Sequence, residues 1–441
     1  MNTSGLSFYK TAGGGSITAA DITDASASGR GLITAVSLAD NLFVKTNPDA
    51  VAWAKVGAFS VSTGQSLFIG VQGVLLTVPG ATAVVMPGSP AAGTDYAIWA
   101  RVDGVLEATA NHSTPPAVGA RRVGGFHYAP GGNAAAQAGG DTTPAINAYS
   151  MWDLKFRPAC SNPRGMALVA GGFWCDIYMA GTDCDLNGTS AHGVTNADGS
   201  SAPKVPAAFG GNGSTTYGNL TWFSAAELGA AYGKRLMFMD EFQAAAYGVT
   251  EQTSGTDPVT TGLDAARTSR WGIMQATGNL YTWCMDSSWR QQNDALTFTG
   301  NTTSGSAVIA ASSHTRIIPG IYVTGTGIPV NAFVVSVNAA TSEVTLSANA
   351  TATNTGITIT CTSYLAGDIT GNVGGWAWRA NTGSRGSLYL NNSQGLARAI
   401  AGGNWFDGGS AGSRASAWYY YPWFSYHFLG ARFRSDHMRL V

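Results

Sequence analysis

From residue 41 to about 160, short apolar runs recur roughly every ten residues, and Gly or Pro interrupts the chain between them. Ala50–Ala54, Ser66–Ile69, Val74–Val78 and Tyr96–Val102 are such runs, rich in β-branched and aromatic side chains. None is long enough to show a helical stripe. Spacing of this kind fits antiparallel strands packed as a sandwich, so residues 42–160 are predicted to form a β-sandwich domain.

The pattern then changes. Residues 161 to about 290 carry two helix signals. In Ser224–Tyr232, Ser224 is placed to cap and Glu227 stands three residues later, as in a capping box. Met239–Tyr247 is rich in helix formers and stops at Gly248. From 292 to 365 the sequence returns to Thr- and Val-rich runs such as Phe333–Val337 and Glu343–Ser347, and Ile357–Cys361 alternates strictly. Aromatic-rich sequence resumes only at Trp376. A small Ig-like β-sandwich, residues 292–365, is therefore expected as an insertion in a domain made of 161–291 and 366–441. Residues 1–41 are rich in Gly, Ala, Ser and Thr, and Gly13–Ser16 reads as a flexible connection. Such a segment is either disordered or packed in an oligomer or against a larger body. The expected class is mainly β, with an α+β C-terminal domain.

Composition excludes several functions. Lys plus Arg number 24 and Asp plus Glu 25, for a net charge of −1. A general nucleic-acid binder needs a basic face, and so does a polybasic membrane-surface protein. Disorder is excluded for the bulk of the chain by 45% hydrophobic residues and 13 tryptophans. The start, Met1–Gly5, has neither the basic nor the apolar region of a signal peptide. The most apolar stretch, Phe68–Met86, is broken by Gly, Gln, Thr and Pro and reads as strands and turns, with no membrane insertion. The five cysteines show no C-x-x-C and no regular spacing, so reduced thiols in a protein made in a cytoplasm are expected.

The most unusual stretch is Trp418 to Phe428, with eight aromatic residues in eleven positions. Successive side chains on an extended backbone point to opposite faces. Three adjacent tyrosines therefore place rings on both sides, and some face outward unless a partner covers them. Tyr and Trp beside Gly, Ser and Asn match the composition of binding loops. The other reading is a strand buried on both faces.

Several motifs follow one another in a telling order: Arg235–Ala246, Gly278–Trp283, Ala401–Trp405, then Arg414 and Gly430–Arg432. This order resembles the C-type-lectin-like fold of the formylglycine-generating-enzyme type. Arg122–Pro130, Trp152–Pro158, Gly165–Met166, Asp176–Tyr178 and the block from Gly412 to His437 are similar to one branch of it, the major tropism determinant family of phage proteins. The resemblance covers roughly residues 42–290 and 366–441 and leaves out the first 40 residues and the insertion. It implies a receptor-binding protein at the tip of a tail fibre on the virion, made in the bacterial cytoplasm. It further implies a homotrimer, tail-fibre proteins as partners and a host surface receptor, protein or glycan. A variable region of about 402–432 would be rewritten by a diversity-generating retroelement. Carried over by position, the diversified residues are Asn404, Phe406, Gly408, Ser410, Ala417, Tyr419, Tyr420, Phe424, Tyr426, Phe428 and Leu429. Asp407, Tyr421, Trp423 and His427 neighbour them; Trp405, Arg414, Gly430 and Arg432 are framework.

Competing readings are weaker. An oxidase of the formylglycine-generating type needs cysteines in the C-terminal block, and none lies between Gly402 and Arg432. No enzyme activity is expected. A calcium-dependent sugar lectin would carry Glu-Pro-Asn or Gln-Pro-Asp with Trp-Asn-Asp, which the chain lacks. A fixed-specificity carbohydrate lectin and a cell-surface or prophage-encoded diversified binder remain as alternatives. Asp183, Asp185 and Asn187 match the first half of a calcium loop, but position twelve is Val194. A polar turn is the simpler reading, and no cofactor is expected. Gly408–Gly412 spells a nucleophile-elbow pattern, weak evidence in a chain with 58 glycines.

Overall fold

The computed structural model describes residues 41–290, 296–311, 317–362, 388–389 and 395–438. Residues 1–40, and the resumption of aromatic sequence at Trp376, lie outside the described residues. The chain is mainly β, as expected, and divides into two compact units. Among the described residues, no helix is long and apolar enough to cross a membrane.

The first unit holds residues 41–128 and 151–157; residues 129–150 fall in the second. Its strands are β1 (Phe43–Lys45), β2 (Trp53–Gly57), β3 (Ser60–Thr63), β4 (Leu67–Val71), β5 (Val74–Val78), β6 (Thr94–Ala100), β7 (Leu106–Thr109) and β8 (Arg121–Ala129). The two-residue strands β9 (Ala145–Ile146) and β10 (Trp152–Asp153) follow in sequence. A three-stranded sheet runs β1-β4-β5, β2 pairs β3, and a second sheet runs β10-β8-β6-β7. Asp153 ties the unit together. Its Oδ2 accepts from the Lys45 ammonium at 3.0 Å and the Ala52 N–H at 2.8 Å. Its Oδ1 accepts from the N–H groups of Lys155 and Phe156. The ion pair is fully buried, and such a pair persists where every lone pair finds a donor.

The second unit holds the remaining elements. A sheet ordered β11-β12-β25-β13 combines β11 (Met166–Val169), β12 (Phe173–Asp176), β13 (Arg235–Leu236) and β25 (Phe433–Asp436). A second, ordered β21-β23-β22-β14-β24, combines β14 (Tyr281–Arg290), β21 (Leu388–Tyr389), β22 (Gly395–Ala401), β23 (Ser416–Tyr420) and β24 (Leu429–Gly430). Among the described residues, three helices, α1 (Cys184–Asn187), α2 (Trp222–Ala231) and α3 (Met239–Ala245), belong to it. α2 starts earlier than its sequence signal suggests. Thr221 is the N-cap, and Ser224 sits at the third helical position, where its hydroxyl accepts from the Thr221 N–H at 2.8 Å. Two hydroxyl residues thus share the capping box that Ser224 and Glu227 were expected to form. The short Ser reaches back to the cap, and Glu227 accepts from the Tyr217 hydroxyl instead.

Residues 297–362 form a sheet of their own. Its strands are β15 (Thr297–Thr302), β16 (Val308–Ala311), β17 (Tyr322–Thr324), β18 (Val334–Asn338), β19 (Glu343–Leu346) and β20 (Asn354–Thr362), ordered β17-β20-β15-β16-β19-β18. Phe298, Ile309, Val323, Val334, Val344 and Ile359 are buried among the side chains of its separate core. The six strands make one continuous hydrogen-bonded path where two packed sheets were expected. Its outer strands meet: Val323 N–H donates to Ala332 O and Val334 N–H to Ile321 O. This contact, a single bridge between Tyr322 and Phe333, brings the two ends of the path together and shortens its open edge. The flanking strands β14 and β22 pair as far as Arg290 and Gly395, with a register shift between Trp283 and Ser287. The sheet of residues 297–362 is therefore carried between β14 and β21, a strand that already lies in the larger sheet beside β23.

Candidate functional site

The C-terminal segment is built on β22 and β23, with a loop on either side of β23. The first loop, 402–412, is held by its own polar groups. The Asp407 carboxylate accepts from the Asn404 N–H at 3.0 Å, and the Asn404 side-chain oxygen from the Phe406 N–H at 2.9 Å. Ser254 bridges it: the hydroxyl donates to Trp405 O at 2.9 Å and accepts from the Gly408 N–H at 3.2 Å. Gly403 has φ +80°, and a side chain there would also collide with Ala411 at 2.6 Å.

The second loop, 421–428, carries most of the aromatic run, and its backbone is fixed from several directions. Phe424 N–H donates to Tyr421 O, Leu429 N–H to Tyr426 O and Tyr281 N–H to Phe428 O, each within 2.9–3.0 Å. The start of α2 docks on it through Trp222 N–H to Pro422 O at 3.0 Å. On the other side Gly199 N–H donates to Tyr426 O at 3.1 Å. The Asp198 carboxylate accepts from the N–H groups of Ser200 and Ser201, each at 2.7 Å, which fixes that turn. Burial pushes the Asp198 carboxyl above its ordinary range.

Upon this frame the rings form one continuous network. Tyr421 stacks on Trp423 at 5.2 Å and contacts Phe424 at 6.3 Å. Phe424 lies 4.7 Å from Tyr420 and 6.1 Å from Tyr426. Tyr420 lies 4.4 Å from Tyr419, and Tyr426 lies 4.8 Å from Phe428 and 4.3 Å from His427. Phe406 meets Phe428 at 5.7 Å, and Trp405 meets His427 at 5.3 Å. Residues far apart in sequence thus share one surface. Trp423 (63% exposed), Phe406 (59%), Tyr426 and Tyr421 project furthest. Asp407, Gly408, Ser410, Tyr419, Tyr420, Phe424, His427 and Phe428 are half-buried.

Three expected contact residues lie elsewhere. Asn404, Ala417 and Leu429 are buried, at 2%, 1% and 0% exposure. Asn404 is consumed by the loop bonds described above. Ala417 and Leu429 point into the core with Trp283, Ile400 and Phe433. Position in the block did not distinguish these buried residues from the exposed ones around them. The framework residues take structural roles. Arg432 is fully buried and donates to four carbonyls: Asp176 O (2.9 Å), Ile177 O (2.6 Å), Met274 O (2.6 Å) and Gln275 O (3.2 Å). Trp405 N–H donates to Asn279 O, Arg414 is buried, and Gly430 lies in β24 beside β14.

The calcium-loop residues also have other work. Asp183 caps α1 by accepting from the Leu186 N–H and pairs with the Lys204 ammonium. Asp185 accepts from the Tyr232 hydroxyl. Among the described residues no cluster of three metal-ligating side chains occurs. All five cysteines are buried free thiols. Burial pushes Cys175 up to about 12 and Cys361 up to about 11, so neither is a thiolate near neutrality. Sequence reasoning missed Gly199, Asp198, Ser254 and the Trp222 contact. Only the Asp198-Gly199-Ser200 turn signal pointed to any of them.

Residues 51–153 match the family described as the second domain of Mtd. A tail fiber receptor-binding protein of Bordetella phage BPP-1 is 38% identical over 416 residues, covering 91% of this chain and 86% of the relative. Solved structures agree. The U1 variant of Major Tropism Determinant is 37% identical with a TM-score of 0.66, covering 91% of this chain and 88% of that one. The M1 variant is 36% identical with a TM-score of 0.65, covering 92% and 88%. With identity and fold agreeing over nine-tenths of its length, the chain belongs to the major tropism determinant family.

Proposed function

We propose that this chain is the receptor-binding protein of a phage tail fibre, and that it contacts a host-cell surface receptor through the aromatic surface of its C-terminal segment. The observation that carries this reading is the ring network on a backbone tied down at both loops. Rigid Tyr and Trp side chains offer large contact area, and little ordering entropy is lost when they bind. The relatives' names give the same role. The protein acts as a homotrimer at the tip of the fibre on the virion, joined to other tail-fibre proteins, with residues 1–41 serving attachment or trimerisation. Several copies on one particle raise weak single contacts to useful avidity. The proposed domains are 42–160, the lectin-like pair 161–291 and 366–441, and the inserted β domain 292–365, which acts as a spacer or weak adhesion module.

The region 402–432 is the diversified part in this reading. Its surface positions, Phe406, Gly408, Ser410, Tyr419, Tyr420, Phe424, Tyr426 and Phe428, exchange side chains over a constant backbone. Asn404, Ala417 and Leu429 accept only substitutions that fit the packed interior. Sequencing the locus across a propagated phage population tests this. Substitutions confined to adenine-templated codons at the surface positions are expected; an invariant block would overturn diversification.

The insertion yields a separate test. Because β14 and β22 remain paired at its base, deleting residues 294–364 should leave a folded trimer. Circular dichroism and light scattering would read the outcome, and loss of folding would refute its independence.

A further inference from the structure

The exposed aromatic surface does not end with the C-terminal segment. Phe223, at the second position of α2, is 50% exposed. Helix α2 buries Trp222, Ala225, Leu228 and Gly229, so Phe223 lies off its packing face. Nothing in the helix requires an apolar residue there. Its neighbour Trp222 cannot turn: the indole N–H donates to Cys284 O at 2.9 Å, and the Arg398 guanidinium lies 3.7 Å from the ring centre. Trp222 in turn holds Phe223 edge-on, with ring centres 5.5 Å apart. The backbone N–H of Trp222 bonds Pro422 O, the residue between Tyr421 and Trp423. Phe223 is thus one residue along the chain from a backbone bond to the segment that carries the exposed Tyr421 and Trp423, and it belongs to a different element.

We propose that Phe223 is a fixed anchor of the receptor-binding surface. It lies outside 402–432, so every variant of the diversified segment presents it unchanged. The matching partner is an uncharged, apolar patch of the same receptor. Residues 418–428 carry no Lys, Arg, Asp or Glu, and Phe223 is itself uncharged, with the exposed Glu227 one turn further along α2. Single exposed apolar residues are common on protein surfaces. This one is distinguished by its neighbour's backbone bond to the aromatic segment and by the locked tryptophan beside it. The inference rests on the receptor-binding reading above and gives it a division of labour. Phe223 supplies affinity common to all variants, and the diversified rings supply the difference between receptors.

The test uses full-length fluorescent protein titrated onto cells of the strain that the virion infects. Phe223→Ala is the direct variant. Phe223→Glu is the second, because an acidic residue in the first turn favours the helix and preserves folding. Each should weaken binding by roughly tenfold or more, the size of a typical anchor residue. The same loss is expected in two backgrounds that differ only at diversified positions. Trp423→Ala serves as the control for the surface itself. If Trp423→Ala loses binding and Phe223→Glu binds as wild type, the anchor is refuted and the receptor surface stands. If both bind as wild type, the aromatic surface is not the binding site. A loss confined to one background would show that the contact is not fixed and would equally overturn the proposal.

Discussion

Replacing Gly199 by alanine should abolish cell binding while the chain stays folded. An added Cβ would lie 2.3 Å from Tyr426 N, 2.4 Å from its carbonyl carbon and 2.5 Å from its Cα. These are backbone atoms, so no side chain can swing away to make room. The turn cannot easily retreat either, since the Asp198 carboxylate holds Ser200 and Ser201. The loop 421–428 must move, and the network from Trp423 to Phe428 moves with it. Forcing atoms into a packed contact costs about 1–3 kcal/mol, a loss that a domain of this size tolerates. Binding should fall by far more than stability does. Near-UV circular dichroism should change in the aromatic bands with the far-UV spectrum intact. A variant that binds at wild-type affinity would show that the loop geometry is not needed for recognition.

The largest effect on stability is expected at Arg432. Replacing it with Met keeps much of its volume but takes the guanidinium from the carbonyls of Asp176, Met274 and Gln275, while Ile177 O keeps the Met274 N–H at 2.9 Å. Each buried acceptor left unpaired costs about 1–3 kcal/mol, so the total is about 3 kcal/mol or more. A melting temperature lower by about 6–12 °C follows for a unit of this size. Lys does not rescue the site, because one ammonium cannot reproduce the planar fork that reaches both pairs of carbonyls. Calorimetry of wild type, R432M and R432K would measure this. A shift under about 3 °C for R432M would show that water replaces the guanidinium.

The sequence revealed local features better than distant ones. Val74–Val78 reads as a strand from its β-branched residues and its bounding turns, and it is β5. The alternation of Ile357–Cys361 likewise lies within β20. The start of α2 was misread because Thr221 and Ser224 are both capping residues, and local pattern alone does not choose between them. Closure of the 297–362 sheet depends on Tyr322 meeting Phe333 across the path, which no periodicity within a strand encodes. The candidate surface shows the same division. The aromatic run announces itself, and family resemblance aligns the block. Neither tells that Ala417 and Leu429 face inward, nor that Gly199, Ser254 and Trp222 hold the loops from positions well over a hundred residues away.

The pairing of Arg290 with Gly395 turns the sheet of residues 297–362 into cargo at a port. The two ends of the port are fixed by a ladder that exists with or without the cargo. Enlarging a loop between fixed ends adds only about 0.6 kcal/mol for each doubling of its length. A lineage can therefore acquire, exchange or discard a whole module here with little thermodynamic penalty, and a protein engineer can do the same. The scaffold then has a route to novelty other than the change of single side chains: an entire folded body exchanged at one place in a sheet.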